Sequence, residues 1–304
     1  MGAVSRSASL PAVATALAIV YLVWGSTYLG IRFALEGGYP PLLMAGGRFL
    51  FAGSVLYAVL RWRGLPVPTR PQWRNVALVG LLLLGGGNGL VCMAQQTVAS
   101  GLAAIAVASA PLWIGVFLTL RGRQPPRLEW VGLGIGFVGV LWLNAGSSLT
   151  ASPQGLIALL LAPIAWSFGS VWSQGRDLPS PFMAAAAQML CGGAAMLVAG
   201  LALGERFDGV PTAKANFAVA YLAGFGSILA FSAYIWLLHH VRATLAGSYA
   251  FVNPVIAVVL GVWLAGERFS AHDLGAMAVI LAGVVAITLA RARPAAEATA
   301  RVVP

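Results

Sequence analysis

Four stretches of the chain place polar and aromatic side chains at helical spacing inside otherwise apolar sequence. Asn88, Cys92 and Gln95 follow one another at i, i+4 and i+7, so they share one face of a helix. Polar groups are costly in apolar surroundings, so this face is expected to point inward. There it either contacts a small molecule or bonds to neighbouring helices. The same spacing recurs in three further sets, which are Trp166, Ser170 and Ser173, then Ser227, Phe231 and Tyr234, then Tyr249 and Asn253.

The chemistry open to these side chains is recognition of a molecule that is partly apolar and has polar ends. Aromatic walls with a few amide and hydroxyl groups suit such a ligand. Trp24, Trp113 and Trp166 lie in the middle of apolar stretches, where each serves either as a ligand wall or as packing. The predicted contact residues are Trp24, Asn88, Trp113, Trp166, Ser227, Tyr234, Tyr249 and Asn253.

Catalytic groups are missing from the centres of the apolar stretches. Every Asp and Glu falls near the end of a stretch or between stretches, and His239 and His240 lie at the end of one. Ser26 follows a glycine, but no histidine lies at its depth to activate it. Cys92 and Cys191 both lie within apolar stretches and indicate no disulfide framework. We therefore expect a protein that is not an enzyme and that binds no cofactor or metal.

Long apolar stretches occupy most of the chain. Hydrophobic residues make up 60% of the 304 residues and charged residues only 9%, with a mean hydropathy of +0.87. About a quarter of the residues of a soluble domain are charged, and about 20 apolar residues in a helix cross a bilayer core. The sequence therefore predicts an all-α polytopic membrane protein with ten transmembrane helices. The predicted spans are 12–33, 41–60, 75–96, 100–120, 128–146, 154–174, 181–203, 216–238, 244–265 and 271–290.

Basic residues are distributed unevenly among the connections. The formal net charge is +10, which in a soluble chain would suggest nucleic acid as a partner. Here most arginines lie in alternate short connections and in the two tails, where positive charge keeps a segment on the cytoplasmic side. The distribution predicts that the tails, 1–11 and 291–304, are both cytoplasmic and that no nucleic acid is bound.

The two halves of the chain show weak internal similarity. Residues 98–118 align with 241–261 at a constant offset, with Pro111 matching Pro254. Because five is an odd number, five spans in each half place the second half in the membrane with the opposite orientation. Inverted repeats of this kind are typical of carriers that open alternately to each side. The predicted repeats are 12–147 and 148–290.

Prolines and glycines mark candidate moving parts. Pro111, Pro163 and Pro254 fall near the centres of predicted spans, where each frees a backbone carbonyl one turn earlier. Both a hinge and a packed kink fit that position. The glycine cluster at 85–89 interrupts the third span and suggests local unwinding there.

Arg48 is a charged residue about two turns into the second predicted span. An unpaired charge at that depth is costly, so we expect it to pair with Glu36 or Glu267 and to tie helices together in an outer gate. The alternative is that Arg48 binds a carboxylate of the ligand. The predicted hinge or gate residues are Pro111, Pro163, Pro254, Arg48 and Glu267.

Two segments in corresponding places carry a resemblance to a known family. The first reads WGSTYLGIRFALEGGYPP from Trp24 and precedes Arg48, and the second reads NPVIAVVLGVWLAGERFS from Asn253 and precedes Gly275. The chain resembles the drug/metabolite transporter superfamily, EamA type, over residues 12–290. Within it, the chain is most similar to the YddG-type aromatic amino acid exporters. The resemblance implies ten helices and the movement of small metabolites, commonly outward across the bacterial inner membrane.

The residues and the resemblance together predict an inner-membrane exporter of small metabolites, aromatic or other neutral amino acids above all. It is expected to work by alternating access around a central cavity. Because no carboxylate lies near the centre of a predicted span, we expect facilitated movement rather than tight proton coupling. Drugs, nucleosides and sugars are alternative substrates, and a gated, channel-like pore is the alternative mechanism. The expected partners are the small-molecule substrate and the lipid bilayer, and nothing in the sequence requires more than a monomer.

Overall fold

The computed structural model describes residues 9–98, 106–143, 145, 152–265 and 271–290, and the regular elements of these parts are all helices. The helical class expected from the sequence is confirmed for this part of the chain. The helices are α1 (Leu10–Glu36), α2 (Pro41–Trp62), α3 (Arg70–Ala94), α4 (Ala106–Leu120), α5 (Arg127–Leu143), α6 (Pro153–Ser173), α7 (Pro181–Ala202), α8 (Ala213–His240), α9 (Ala243–Gly247 and Tyr249–Ala265) and α10 (Ala271–Ala290).

Six of the described helices, α1, α2, α3, α6, α7 and α8, are long and apolar enough to cross a membrane by length and composition. α4 is a shorter apolar helix, and so is the part of α10 that runs from Leu274 to Ala290. The exposed surfaces of the six long helices carry large apolar side chains, such as Leu22, Phe51 and Leu160. Exposed apolar faces of this extent suit a protein whose solvent is lipid.

Hydroxyl side chains set where several helices begin. Thr69 accepts a hydrogen bond from the backbone of Gln72, whose side chain bonds back to the Thr69 backbone in a complete capping box. Ser152 and Thr212 accept from the backbone at the starts of α6 and α8. Because of these caps, α3 and α8 begin several residues earlier than hydropathy predicted, before the sequence becomes apolar.

α3 and α8 widen into π-helical turns in the middle of their length. The π segments are Leu81–Gly89 in α3 and Leu222–Phe231 in α8. The glycines of α3 suggested local unwinding, and the structure shows a wider helical turn instead, in which the backbone stays helical. π turns are rare in proteins overall, but those that do occur are often found at functional sites.

The three prolines expected at mid-span occupy two kinds of position. Pro163 lies inside α6, and Pro254 lies inside the longer part of α9. Pro111 lies in the first turn of Ala110–Leu120, directly after a turn at Ser109. The sequence places Pro111 near the centre of a predicted span, and the structure places it directly after the interruption of α4 at Ser109. At a first turn the missing N–H costs little, because no partner within the helix is available there.

Glycines allow close crossings between the two halves of the chain. A Cβ atom added to Gly46 in α2 would lie 2.8 Å from the carbonyl oxygen of Gly193 in α7, and one added to Gly193 would lie 2.9 Å from the carbonyl oxygen of Gly46. Gly132 in α5 and Gly283 in α10 have the same reciprocal relation, at 2.8 Å in both directions. Backbones this close leave no room for a side chain.

Glu205, in the connection after α7, fixes the start of α2. Its carboxylate accepts hydrogen bonds from the backbone N–H groups of Leu42 at 3.0 Å and Leu43 at 2.9 Å. A carboxylate at a helix N-terminus satisfies donors that have no partner within the helix and interacts favourably with the helix dipole. The second half of the chain therefore helps to position the helix that carries Arg48.

Candidate functional site

A cavity of about 80 Å³ lies between α1, α2, α3, α4, α6, α8 and α9. Both halves of the chain contribute to it, and aromatic rings make up much of its wall. Among its described lining residues, Arg48 is the one that carries a charge. The lining includes Trp24, Thr27, Tyr28, Arg48, Phe49, Asn88, Pro163, Trp166, Phe231, Tyr249 and Asn253.

The cavity extends from the middle of the fold toward the end of α1 that carries Glu36, away from the end that carries Leu10. Short connections join α1 to α2 and α2 to α3, so these consecutive helices run in opposite directions. Ile31 near the end of α1, Arg48 near the start of α2 and Val91 near the end of α3 all line the cavity. All three positions therefore lie on the side of the fold opposite to the start of α1.

Five of the eight predicted contact residues line this cavity, namely Trp24, Asn88, Trp166, Tyr249 and Asn253. The indole N–H of Trp24 in α1 donates to the carbonyl oxygen of Gly226 at 3.1 Å, in the π segment of α8. That bond anchors a ring from the first half on the backbone of the second half. The structure thus brings together side chains that lie far apart in the sequence.

The other three predicted contact residues lie outside the lining. Tyr234 is fully buried behind the cavity. The Ser227 hydroxyl donates to the carbonyl oxygen of Leu222 at 3.0 Å, within the π segment. Trp113 stacks on Phe117 with 6.3 Å between ring centroids. Among the predicted hinge or gate residues, Pro163 and Arg48 line the cavity, Pro111 and Pro254 do not, and Glu267 lies outside the described residues.

An aromatic cluster borders the cavity on the side where α1 begins. Trp24 contacts the rings of Trp166, Tyr234 and Tyr249 with centroid distances of 5.5, 5.2 and 4.6 Å. The Tyr234 hydroxyl accepts a hydrogen bond from the Trp166 indole at 2.9 Å and lies 2.7 Å from the Ser170 hydroxyl. We call Trp24, Trp166, Ser170, Tyr234 and Tyr249 the aromatic plug.

A second concavity, of about 530 Å³, lies beyond the aromatic plug. Along α6 the cavity residue Trp166 is followed by Ser170 of the plug and then by Ser173, which lines the second concavity. Its described lining is basic and includes Arg123, Gln174, Arg176, His239, His240 and Arg242. The plug therefore separates an aromatic cavity from a positively charged mouth.

An ion pair joins two helix starts near this mouth. Arg242, just before α9, donates to the Glu129 carboxylate of α5 at 3.0 Å, and Thr244 also donates to Glu129. The Glu129 side chain is only 2% exposed. Sequence reasoning placed Glu129 at a helix end and missed this pair, because its partner lies in the other half of the chain.

Arg48 has no carboxylate partner among the described residues. Its Nη2 donates to the Asn88 Oδ1 at 2.8 Å, and its guanidinium lies 4.5 Å from the centroid of the Phe49 ring. Glu36, one of the two partners expected from the sequence, pairs instead with Arg32 at 2.6 Å on the exposed surface of α1. That i, i+4 pairing is available without crossing to another helix.

Two buried polar atoms at the cavity lack hydrogen-bond partners within the described part of the chain. They are Nε of Arg48, in a residue that is 4% exposed, and Oδ1 of Asn253, in a residue that is 2% exposed. Buried polar atoms are nearly always paired, so an unpaired one calls for an explanation, such as a bound water or a ligand. The cavity thus offers one cationic donor and one amide acceptor.

Sequence reasoning missed part of the cavity wall. Thr27 and Tyr28 line it beside Trp24. Trp24, Tyr28 and Ile31 follow the i, i+4, i+7 spacing that singled out the other faces, so this signal was present in the sequence. Phe49 could not have been found in this way, because its role follows from the position of α2 against α8.

Membrane-length helices from two halves, enclosing an aromatic cavity with a buried cation, define a membrane transporter of small solutes. The chain belongs to the EamA-like transporter family, whose sequence pattern matches residues 12–145 and again 153–289. The family resemblance read from the sequence is confirmed.

Several known proteins are similar to this chain. The inner membrane transporter YedA of Escherichia coli K12 is 46% identical over 277 residues, which cover 91% of this chain and 90% of YedA. The transporter YoaV of Bacillus subtilis is 26% identical over 255 residues, covering 81% of this chain and 85% of YoaV. One solved crystal structure covers 93% of this chain and 99% of its own, with a TM-score of 0.77 and 23% identity, a likeness of fold alone.

Proposed function

We propose that this transporter is an inner-membrane carrier that exports small metabolites, aromatic or other neutral amino acids above all. The observation that carries the proposal is the cavity in which aromatic walls surround a single described charge, Arg48, with one unpaired donor. A carboxylate is the ligand group that a buried guanidinium binds best. The aromatic walls suit an apolar side chain, and the amide oxygen of Asn253 suits an ammonium group.

The proposed mechanism is alternating access by two inverted five-helix repeats, 12–147 and 148–290, with ten membrane helices in all. Three observations support it. Gly46 faces the carbonyl oxygen of Gly193 and Gly53 faces that of Ala186, and these two contacts exchange when Pro41 is matched to Pro181, as a twofold axis would require. π segments occur in both α3 and α8, and the family pattern matches once in each half. With both termini in the cytoplasm, the cavity lies on the outer side and the aromatic plug on the inner side.

We propose that transport is facilitated rather than tightly coupled to protons. In carriers that couple transport to proton movement, carboxylates or histidines lie along the transport route within the membrane. No described residue of the cavity lining is a carboxylate or a histidine. An outward gradient of a metabolite would then be the driving force.

Counterflow in proteoliposomes tests the function and the ligand class together. We expect saturable exchange of phenylalanine and much weaker exchange of phenylalaninol, in which a hydroxymethyl group replaces the carboxylate. Arg48→Gln should weaken phenylalanine binding by about 10- to 100-fold, the equivalent of about 1.5–3 kcal/mol for a charge-assisted hydrogen bond, while phenylalaninol binding stays nearly constant. Arg206→Gln, which removes a charge that is exposed on the surface, is the matched control.

Other outcomes would contradict parts of the proposal. Saturable exchange of nucleosides, sugars or drugs without any of amino acids would leave a carrier but reject the substrate class. Flux that does not saturate, or unitary currents, would replace the carrier with a pore. An equal loss of phenylalanine and phenylalaninol binding in Arg48→Gln would make Arg48 a structural residue.

A further inference from the structure

Gln188, in α7, is a buried amide without partners. The residue is 1% exposed, and neither Oε1 nor Nε2 has a hydrogen-bond partner in the described part of the chain. A buried amide in this condition destabilises a fold, because its groups lose hydrogen bonds to water and gain none in return. A residue of this kind calls for an explanation beyond packing.

Gln188 stands at the same place in α7 as Arg48 does in α2. Both helices begin with a proline in the first turn, Pro41 and Pro181, and the two residues follow these prolines at the same distance along the chain. The glycines of the α2 and α7 crossing, described above, lie close to both residues. In the proposed inverted arrangement, Arg48 and Gln188 are therefore equivalent residues on opposite sides of the centre.

The contacts of the two residues support this equivalence. Arg48 packs against the π segment of α8, where its Nη1 would lie 3.8 Å from a Cβ atom on Gly226. The backbone of Gln188 packs against α3 directly before its π segment, where its main-chain carbonyl oxygen would lie 2.5 Å from a Cβ atom on Gly80. Each residue thus contacts the opposite half of the chain where that half widens.

A second unpartnered group lies on the helix that packs beside Gln188. Ser232 follows the π segment of α8, is 4% exposed, and has a hydroxyl without a partner among the described residues. The helical end of α8 that Ser232 begins packs against α7. Two unsatisfied polar side chains thus lie on adjoining helices, toward the side that the aromatic plug closes.

We propose that Gln188 is the cytoplasm-side counterpart of Arg48, a neutral hydrogen-bonding site for the polar head of the substrate. It joins the transport route when the aromatic plug opens and the cavity faces the cytoplasm. The inference rests on the proposed alternating access. Its consequence is an asymmetry of charge, because a carboxylate meets a guanidinium in the outward-facing state and an amide in the inward-facing state.

Substitution by apolar residues of similar size separates this role from a structural one. In Gln188→Leu and Gln188→Met, we expect Tm in detergent to be equal to or higher than in the wild type, because an unsatisfied amide is removed. The KM for phenylalanine at the cytoplasmic face should rise about tenfold, as for one lost hydrogen bond, and the KM at the outer face should stay constant. Gln174→Leu is the control, since its amide donates to the Leu238 and Val241 carbonyl oxygens, and its Tm should fall.

An accessibility measurement tests the site without reference to the substrate. In a background with Cys92→Ala and Cys191→Ala, Gln188→Cys should react with a membrane-impermeant sulfonated thiol reagent from the cytoplasmic side only. Arg48→Cys should react from the outer side only. This result supports the route even if phenylalanine is not transported, in which case the proposed substrate class alone is rejected.

Several results would overturn the inference. In the labelling experiment, these are a Gln188→Cys thiol that reacts from neither side and one that reacts from the outer side. In the kinetic experiment, they are an unchanged cytoplasmic KM in both apolar variants and an equal rise of KM at both faces. A lower Tm with normal transport in Gln188→Leu would show a structural amide bound to water.

Discussion

At the scale of single residues, the buried polar groups fall into two kinds, those that are hydrogen-bonded to one another and those that are not. In the aromatic plug they satisfy one another, as the Tyr234 hydroxyl bonds to both Trp166 and Ser170. In contrast, Nε of Arg48, Oδ1 of Asn253 and both amide atoms of Gln188 have no hydrogen-bond partner in the part of the chain that the structure describes. Satisfied networks make a structure rigid, whereas unsatisfied groups are available to a ligand. The contrast distinguishes the hydrogen-bonded aromatic plug from the cavity wall and from Gln188.

Removal of the Tyr234 hydroxyl should destabilise the plug. Tyr234→Phe leaves the Trp166 indole N–H and the Ser170 hydroxyl without this partner in a fully buried position, so we expect the free energy of unfolding to fall by about 1–3 kcal/mol. Thermal unfolding in detergent measures the loss as a lower Tm. Tyr39→Phe is the matched control, since the Tyr39 hydroxyl donates to Asn216 on the exposed surface, where water replaces it. Equal Tm shifts in both variants would refute this role of Tyr234.

At the scale of helices, backbone shape determines how the two halves meet. α2 and α7 approach each other closely where Gly46 faces the backbone of α7, whereas the next residue, Gly47, has open space beside it. A Cβ atom on Gly46 would lie 2.7 Å from the backbone nitrogen of Leu197, whereas one on Gly47 would have nothing within 4 Å. Of these two adjacent glycines, only Gly46 contributes to the close approach that positions α2 and Arg48.

These adjacent glycines give a matched pair of variants. Gly46→Ala should lower the free energy of unfolding by about 1–3 kcal/mol, because the added methyl group forces two backbones apart. Gly47→Ala should be neutral or slightly stabilising, because alanine favours a helix more than glycine does. Tm in detergent and the yield of folded protein compare the two. A Gly47→Ala variant that is as unstable as Gly46→Ala would contradict this account of the crossing.

The π segments of α3 and α8 are the second feature at this scale. Both contribute to the cavity, with Gly87 and Asn88 from α3 and Gly226 and Phe231 from α8. A wider turn carries an additional residue and rotates the side chains that follow it, so the faces before and after the segment differ. Each of these helices thereby presents one face to the cavity and another to the opposite half of the chain.

At the scale of the whole molecule, the two concavities on either side of the aromatic plug are the central feature. The aromatic cavity lies on one side of the plug, and the basic mouth lies on the other, toward the start of α1. A solute that passes from one to the other requires the plug to open. The orientation of the protein in the membrane then decides which of the two faces the cytoplasm.

The charge distribution predicts this orientation. Fusions of green fluorescent protein to the amino and carboxyl ends should both fluoresce, and fusions of alkaline phosphatase at both ends should be inactive, because excess arginine keeps these ends in the cytoplasm. A phosphatase fusion at Asp208, in the exposed connection between α7 and α8, should be active and is the positive control. An active phosphatase at one end with fluorescence at the other would require an odd number of spans.

Local patterns in the sequence were sufficient for the apolar helices and for part of the cavity wall. Hydropathy located the apolar helices, and the i, i+4, i+7 rule selected Asn88, Trp166, Tyr249 and Asn253, which line the cavity. The same rule also selected Ser227, whose hydroxyl bonds within its own helix. Helical spacing tells which side chains share a face, but it does not tell what that face meets.

The sequence by itself determined the apolar helices, the family and the polar faces, because these depend on composition and on residues a few positions apart. Only the tertiary structure decided that Arg48 contacts Asn88 rather than Glu36, that Glu205 caps α2, and that the amide of Gln188 has no partner among the described residues. Such pairings depend on the rotation and depth of each helix. Those are set by backbone contacts between residues that lie more than a hundred positions apart, such as the contact of Gly46 with Gly193.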